Sequence, residues 1–151
     1  MNKKLAETED KIERMEKTRI RNNIIVTGIE INTKESKQLK EAVARILNEE
    51  LNVKAGVNKA YRIGVKKYVV ELTDWESKIQ ILKTKKVLKG KDMYIESELT
   101  REEMAIQKQI RDIAREERKK GAAAKVRYQK AEINGQIMEW DKKNHKLVSK
   151  N

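Results

Sequence analysis

Apolar residues change their period several times along the chain, and each change marks an element. From Met1 to Arg21 a polar background carries Leu5, Thr8, Ile12, Met15 and Arg19 in alternating steps of three and four residues. That spacing is the seam of a heptad repeat. The segment is short, and Thr8 and Arg19 are weak seam residues, so alone it is expected to fray. It reads as the end of a coiled coil that self-associates through Leu5, Ile12 and Met15, with a plain charged arm as the alternative. Asn23–Ile29 is then a compact run of β-branched residues, the pattern of a buried strand. Thr33 is placed to cap a helix over Lys34–Leu51, whose Leu39, Ala42, Val43, Ile46 and Leu47 share one face. Strands follow at Asn58–Ile63 and Lys67–Leu72, with Gly64 at the turn between them. Thr73 and Glu76 have capping-box spacing and open a helix to about Val87, with Trp75, Ile79 and Leu82 inward. Gly90 turns the chain into a fourth strand, Asp92–Glu96, with Met93 and Ile95 on one face.

The order is β-α-β-β-α-β, two crossover units around a hairpin. This is the ferredoxin-like plan: a four-stranded antiparallel sheet with two helices on one face and the other face open. The expected fold class is therefore α+β, with three parts: a coiled-coil end over 1–21, a domain over 22–98 and a small helix-plus-hairpin domain over 99–151.

That last part opens with the most patterned stretch of the chain. Thr100 and Glu103 form a capping box. Ile106, Ile110 and Ile113 recur at helical spacing, and Arg101, Lys108, Arg111, Arg115 and Arg118 fall on a stripe roughly opposite them. Such a helix is docked by its isoleucines and presents cations to a polyanion. It is also compatible with a solvated face neutralised by Glu102, Glu103, Asp112, Glu116 and Glu117. Gly121 ends the helix. Lys125–Ile133 and Gln136–Trp140 flank Asn134-Gly135, a strong two-residue hairpin signal. The loop pairs Ile133 with Gln136, Ala131 with Met138 and Gln129 with Trp140, and His145–Val148 supplies a candidate third strand.

Charge narrows the partners. The chain of 151 residues holds 36 Lys+Arg against 24 Asp+Glu, a formal charge of +12. The excess is +6 over Thr100–Asn151 (14 basic, 8 acidic), the most biased third. Such a balance favours polyanions: RNA, DNA or an acidic membrane surface. There is no cysteine and a single histidine, His145, so thiolate chemistry and multi-histidine metal sites are excluded. No acidic cluster has the spacing of a metal loop. No apolar run is long enough to span a membrane, and the charged N-terminal stretch lacks a signal-peptide core. Neither cofactor nor metal is implied.

Open sheets with basic surfaces are commonly RNA-recognition motifs (RRMs), in which aromatics on the two central strands stack bases. Here the corresponding outward positions are Ile25, Lys67 and Val69. Tyr94 is the one clear aromatic candidate on that face, while Tyr61 and Tyr68 read as core or edge residues. Phosphate contact should then outweigh base reading, and affinity should fall steeply with salt. The cations for this role are Lys59, Arg62, Lys66 and Lys67 around the second and third strands, and the helix stripe with Lys125 and Arg127 in the last third. A cleft between the two parts would close on a single strand, with Tyr128 stacking a base or, alternatively, making a cross-strand contact in its hairpin.

An acylphosphatase-like enzyme on the same plan needs an anion-cradling loop with an arginine after the first strand. Gly28 is instead followed by Ile29, Glu30 and Ile31, so a non-catalytic role is expected. A coiled-coil adaptor indifferent to nucleic acid is the competing reading.

RNNIIVTGIE, YRIG…KKYVVELTDWESK, LKGKDMYIESELTREE and KVRYQKAEING, in that order, resemble the first-reading-frame protein of LINE-class (non-LTR) retrotransposons, in an insect-like version. The resemblance spans about Arg19 to Trp140. It implies a trimeric coiled coil, an atypical RRM and a small C-terminal domain. It also implies single-stranded RNA as partner, with single-stranded DNA as a second ligand, nucleic-acid chaperone activity and a cytoplasmic or nuclear ribonucleoprotein. By position it assigns nucleic-acid contact to Lys66 and Lys67, to Lys108 or Arg111, to Lys125 or Arg127, and to Tyr128. The chain departs from the vertebrate pattern in its shorter C-terminal part and in Glu71, where that pattern has a cation.

Overall fold

The computed structural model describes Asn2–Lys150; Met1 and Asn151, the outermost residues of the first and last expected parts, lie outside the described residues. The chain is α+β: a leading helix, then two four-stranded antiparallel sheets, the first with helices between its strands and the second preceded by one helix. It divides into two compact units, Met1–Glu98 and Leu99–Asn151.

In the first unit the order is α1 (Asn2–Arg19), β1 (Asn23–Thr27), α2 (Ser36–Leu51), β2 (Val57–Gly64), β3 (Lys67–Leu72), α3 (Trp75–Thr84) and β4 (Tyr94–Ser97). The strands lie in the order β2-β3-β1-β4. The β-branched run of β1 sits in the middle, where both neighbours satisfy its backbone. One core gathers Ile24 and Val26 of β1, Tyr68, Val70 and Leu72 of β3, Ala60 of β2 and Ile95 of β4. Against these pack Leu39, Ala42, Val43, Leu47 and Leu51 of α2 and Ile81 of α3. Both helices therefore cover one face of the sheet. Each fully buried aliphatic side chain contributes roughly 1.5–3 kcal/mol.

Several local expectations are corrected. Thr33 does not cap α2. Glu35 holds that position without a side-chain bond, and the Thr33 hydroxyl joins the Glu35 N–H to Gln38 instead. Asp74, not Thr73, caps α3 by accepting the Ser77 N–H at 2.7 Å. That backbone bond, foremost among several, holds the Asp74 carboxyl below the usual carboxylate range. The helix ends at Thr84 and tightens into a 3₁₀ turn, Lys85–Leu88. Its buried face is Lys78 and Ile81 rather than Trp75 and Ile79. The aliphatic stem of Lys78 is covered while its Nζ donates to the Arg21 carbonyl at 2.8 Å. Trp75 stays partly exposed with two cations near its ring, Arg21 at 5.0 Å and Lys78 at 5.5 Å. The fourth strand begins at Tyr94 rather than Asp92.

The second unit runs α4 (Arg101–Lys119), β5 (Ala124–Arg127), β6 (Lys130–Ile133), β7 (Gln136–Asp141) and β8 (Lys146–Ser149), with sheet order β5-β6-β7-β8. The Thr100–Glu103 capping box is formed in both directions, at 3.1 and 2.9 Å. Asn134 and Gly135 both take positive φ, 51° and 82°, and Ile133 pairs with Gln136 and Ala131 with Met138 as the turn requires. The expected single strand Lys125–Ile133 is instead two strands with a turn at Tyr128–Gln129. A small core of Ile106, Ile110 and Ala131 is flanked by Val126, Ile133, Trp140 and Leu147.

Gly28 ties the end of β1 to two other segments. Its N–H donates to the Lys66 carbonyl at 2.8 Å, and at φ 98° a Cβ would stand 2.0 Å from the Asp92 carbonyl oxygen. Neither the angle nor the space suits a side chain. Gly28→Ala is expected to destabilise the first unit by more than about 2 kcal/mol, read as a lower urea midpoint. An unchanged midpoint would contradict this packing.

Candidate nucleic-acid interface

Residues directly opposite in an antiparallel sheet point to the same face. The register therefore sorts the first sheet into two surfaces. Tyr68 of β3 pairs with Val26 of β1, which pairs with Ile95 of β4, and these three lie in the core under α2 and α3. The opposite face carries the row Tyr61–Val69–Ile25–Glu96 and, beside it, the row Lys67–Thr27–Tyr94. Tyr94 is 55% exposed there and Tyr61 46%. Tyr61 is thus a second aromatic on the open face, on strand β2, where the sequence reading placed only Tyr94. The small Ala60 takes the position facing α2, and that pushes Tyr61 outward. Both rings sit on the outer strands; of the central positions Lys67 is exposed, Ile25 and Thr27 are half-buried, and Val69, expected to point outward into solvent, is buried at 3% exposure. Lys66 occupies the β2–β3 turn at φ 58°, next to Lys67, and both side chains are exposed.

Arg62 does not join this face. It pairs with Tyr68, on the helix side of the sheet. One of its guanidinium nitrogens donates to the Ile31 carbonyl at 2.8 Å and to the Tyr68 hydroxyl at 3.1 Å, and the guanidinium lies 5.5 Å from the Tyr68 ring centre. The same hydroxyl accepts the buried Ile31 N–H at 3.0 Å. Arg62 is a strut for the segment after β1, a role set by a long-range partner that local pattern does not reveal.

In the second unit, the buried face of α4 is Glu103, Ile106, Gln107, Ile110 and Ala114, with Ile113 at its margin. The centre of that face lies about 115° from the cation stripe on a helical wheel, so the cations flank the docked face rather than oppose it. Arg101, Lys108, Arg111 and Arg115 are exposed. Arg115 pairs with Asp112 at 3.0 Å, and Arg118 donates twice to the Ala124 carbonyl, at 2.7 and 3.0 Å. On β5, Val126 turns into the core while Lys125 and Arg127 face outward. Arg127 reaches Glu132 at 3.5 Å. Among the described residues no carboxylate pairs with Lys66, Lys67, Lys108, Arg111 or Lys125.

Tyr128 lies in the β5–β6 turn rather than within a hairpin strand. α4 holds this turn from below. Gln107 accepts the Gln129 N–H at 2.6 Å and donates to the Arg127 carbonyl at 3.2 Å, and the Tyr128 hydroxyl donates to buried Glu103. Gln129 takes φ 52°, a left-handed conformation unfavourable for its residue type and maintained by these bonds. The Tyr128 ring, anchored at its hydroxyl, remains 51% exposed. Gln107 is an anchor of the candidate site that the sequence reading missed; a polar residue within an isoleucine stripe is its signal.

His145 takes φ 51° in the β7–β8 turn. In that turn the Asp141 carboxylate accepts the Asn144 side chain and backbone, bonds that hold its pKa below the usual range. Among the described residues no group of three or more metal-ligating side chains could hold an ion, and no helix is long and apolar enough to cross a membrane.

Gln107→Ala is expected to release the turn while leaving the helix formed. Losing a buried bond worth about 1–3 kcal/mol should speed exchange of the Gln129 amide hydrogen about tenfold or more. Unchanged protection at that amide would show that the clamp does not hold the turn.

A scan of the chain against models of known protein families matches none of them, and a search among curated proteins likewise returns no match.

Proposed function

We propose that this protein binds single-stranded nucleic acid, RNA in preference, without catalysis, and packages it through phosphate contacts that tolerate any sequence. The observation that carries this reading is the division of the cations into two sets. Arg62 and Arg118 are spent on backbone carbonyls, and Arg115 and Arg127 on carboxylates. Lys66, Lys67, Lys108, Arg111 and Lys125 are exposed and unpaired among the described residues. Unpaired surface cations gain most from a phosphate, because no existing ion pair must first be broken. Exposed rings at Tyr61, Tyr94 and Tyr128 add stacking surfaces that accept any base. Many weak contacts neutralise strand repulsion while each is readily exchanged, which is the physical basis of chaperone activity.

The first unit is read as an RRM-like, ferredoxin-like domain. Its strand order β2-β3-β1-β4 and the placement of α2 and α3 on one face support this. The resemblance to LINE-class first-reading-frame proteins accounts for such a unit followed by a small basic one, and it assigns the chain to a retrotransposon ribonucleoprotein. In the same reading α1 is the end of a coiled coil, a trimer in the full-length protein. Leu5, Ile12 and Met15 are 60%, 58% and 63% exposed, an apolar seam that a second copy would cover. That seam equally serves an adaptor that ignores nucleic acid, so the two readings part on binding.

Filter binding of random single-stranded RNA across a salt series tests the proposal. The unaltered chain should bind at low salt and lose affinity steeply as salt rises. Lys108→Ala with Arg111→Ala should weaken binding to unrelated sequences alike and shallow the log–log salt slope by about 1.4, at about 0.7 per contact. No binding at low salt would leave the adaptor. Separately, Ile12→Asp is expected to shift the sedimentation mass towards monomer with helical content nearly unchanged; an unaltered mass would remove α1 from self-association.

A further inference from the structure

Beyond the cations already assigned, the segment Lys83–Lys91 carries five lysines and no acid. Four of them, Lys85, Lys86, Lys89 and Lys91, line a cavity of about 400 Å³ whose remaining wall includes Leu88, Met93, Tyr94 and Glu96. The cavity is built on a fixed turn. Leu88 is buried in the core between the lysines, the Lys89 N–H returns to the Lys86 carbonyl at 3.1 Å, and the Lys91 N–H to Leu88 at 2.9 Å. Lys91 is committed to Glu50 at 2.8 Å. Lys85, Lys86 and Lys89 are exposed and have no carboxylate partner among the described residues. Glu96 is the one acid in the wall, so the cavity keeps an excess of positive charge.

Two further observations identify the occupant. β4 is an outermost strand of its sheet, so no neighbouring strand blocks the approach from that side. Tyr94 belongs to both surfaces: it lines the cavity and stands in the Lys67–Thr27–Tyr94 row of the open face. A chain lying on that face and stacking on Tyr94 is thereby led to the lysines. An acidic peptide would be held by the lysines but would make no use of an exposed ring at the entrance. We infer that this pocket is a second phosphate-holding site, in which Lys85, Lys86 and Lys89 grip the backbone of a single strand that leaves the sheet over Tyr94. The inference rests on the nucleic-acid reading above and adds a place and a direction to it. The strand runs off the β4 edge, away from the Lys66–Lys67 turn, so the first unit engages a longer stretch than its open face alone could cover.

The test uses the full chain and a uridine oligonucleotide of about twenty nucleotides, longer than one such sheet occupies. Lys85→Gln, Lys86→Gln and Lys89→Gln are combined. These side chains are exposed, so the thermal melt should match that of the unaltered chain. The salt slope of binding should shallow by about 2, three contacts at about 0.7 each. Lys3→Gln with Lys4→Gln and Lys11→Gln, which remove the same charge from α1, should change it by less than about 0.5. In an amide-resonance titration of the unaltered chain, the Gly90 and Tyr94 signals should move with the oligonucleotide. Binding by the unaltered chain with an unchanged slope in the pocket variant would overturn the pocket and leave the general reading standing. Equal effects of the two triple variants would also overturn it, by showing a diffuse charge effect. Gly90 and Tyr94 responding to poly-glutamate and not to the oligonucleotide would assign the pocket to an acidic chain. No binding at all by the unaltered chain would remove both readings.

Discussion

A guanidinium that already donates to a backbone carbonyl cannot offer the same hydrogens to a phosphate. That competition organises this protein, because a chain with 36 basic residues must distribute them between holding itself together and holding something else. Arg62 closes the segment after β1 through Ile31 and Tyr68, and Arg118 fastens the end of α4 to Ala124. Lys78 sinks its stem and reaches Arg21. In each case a long flexible cation is committed to a backbone carbonyl of another segment. Lys66, Lys67, Lys108, Arg111 and Lys125, left over from this use, lie on a turn, on strand faces turned away from a core and on the flank of α4.

The second unit shows how little structure such a distribution needs. Its buried apolar residues, Ile106, Ile110, Ala114 and Ala131 among those described, with a half-buried rim, make a small core for a unit of its length. Polar anchors supplement it: the capping box at Thr100 and Glu103, the Gln107 clamp on the β5–β6 turn, and Lys142 pairing with Glu102 at 2.7 Å. Glu103 serves twice, closing the cap and receiving the Tyr128 hydroxyl, so the start of α4 and the exposed ring are positioned by one carboxylate. An aromatic fixed at its rim and open on its face is preorganised to stack without losing rotamer freedom on binding.

Local chemistry was legible where it was self-sufficient. The register set by Asn134-Gly135, the limits of Lys67–Leu72 and the Thr100 cap all follow from neighbours in sequence. What escaped was decided at long range. The Tyr128–Gln129 turn contains no glycine, proline or asparagine, and its left-handed residue is stabilised by Gln107 from another element. Trp75 read as a core residue on its helical spacing with Ile79 and Leu82, yet Lys78 is the buried one, its ammonium donating to the Arg21 carbonyl. Tyr61 points away from the core because the preceding Ala60 takes the core-facing position of β2. Arg62 looked like a ligand-facing cation, and its true partners lie 31 residues before it and 6 after it.

The most direct measurement is a side-chain resonance titration of the lysines and arginines with a short single-stranded oligonucleotide at low salt. The account predicts that Lys66, Lys67, Lys108, Arg111 and Lys125 shift, and that Arg62, Arg118 and Lys78 stay where they are. Shifts confined to the already bonded set, or none in either, would contradict it.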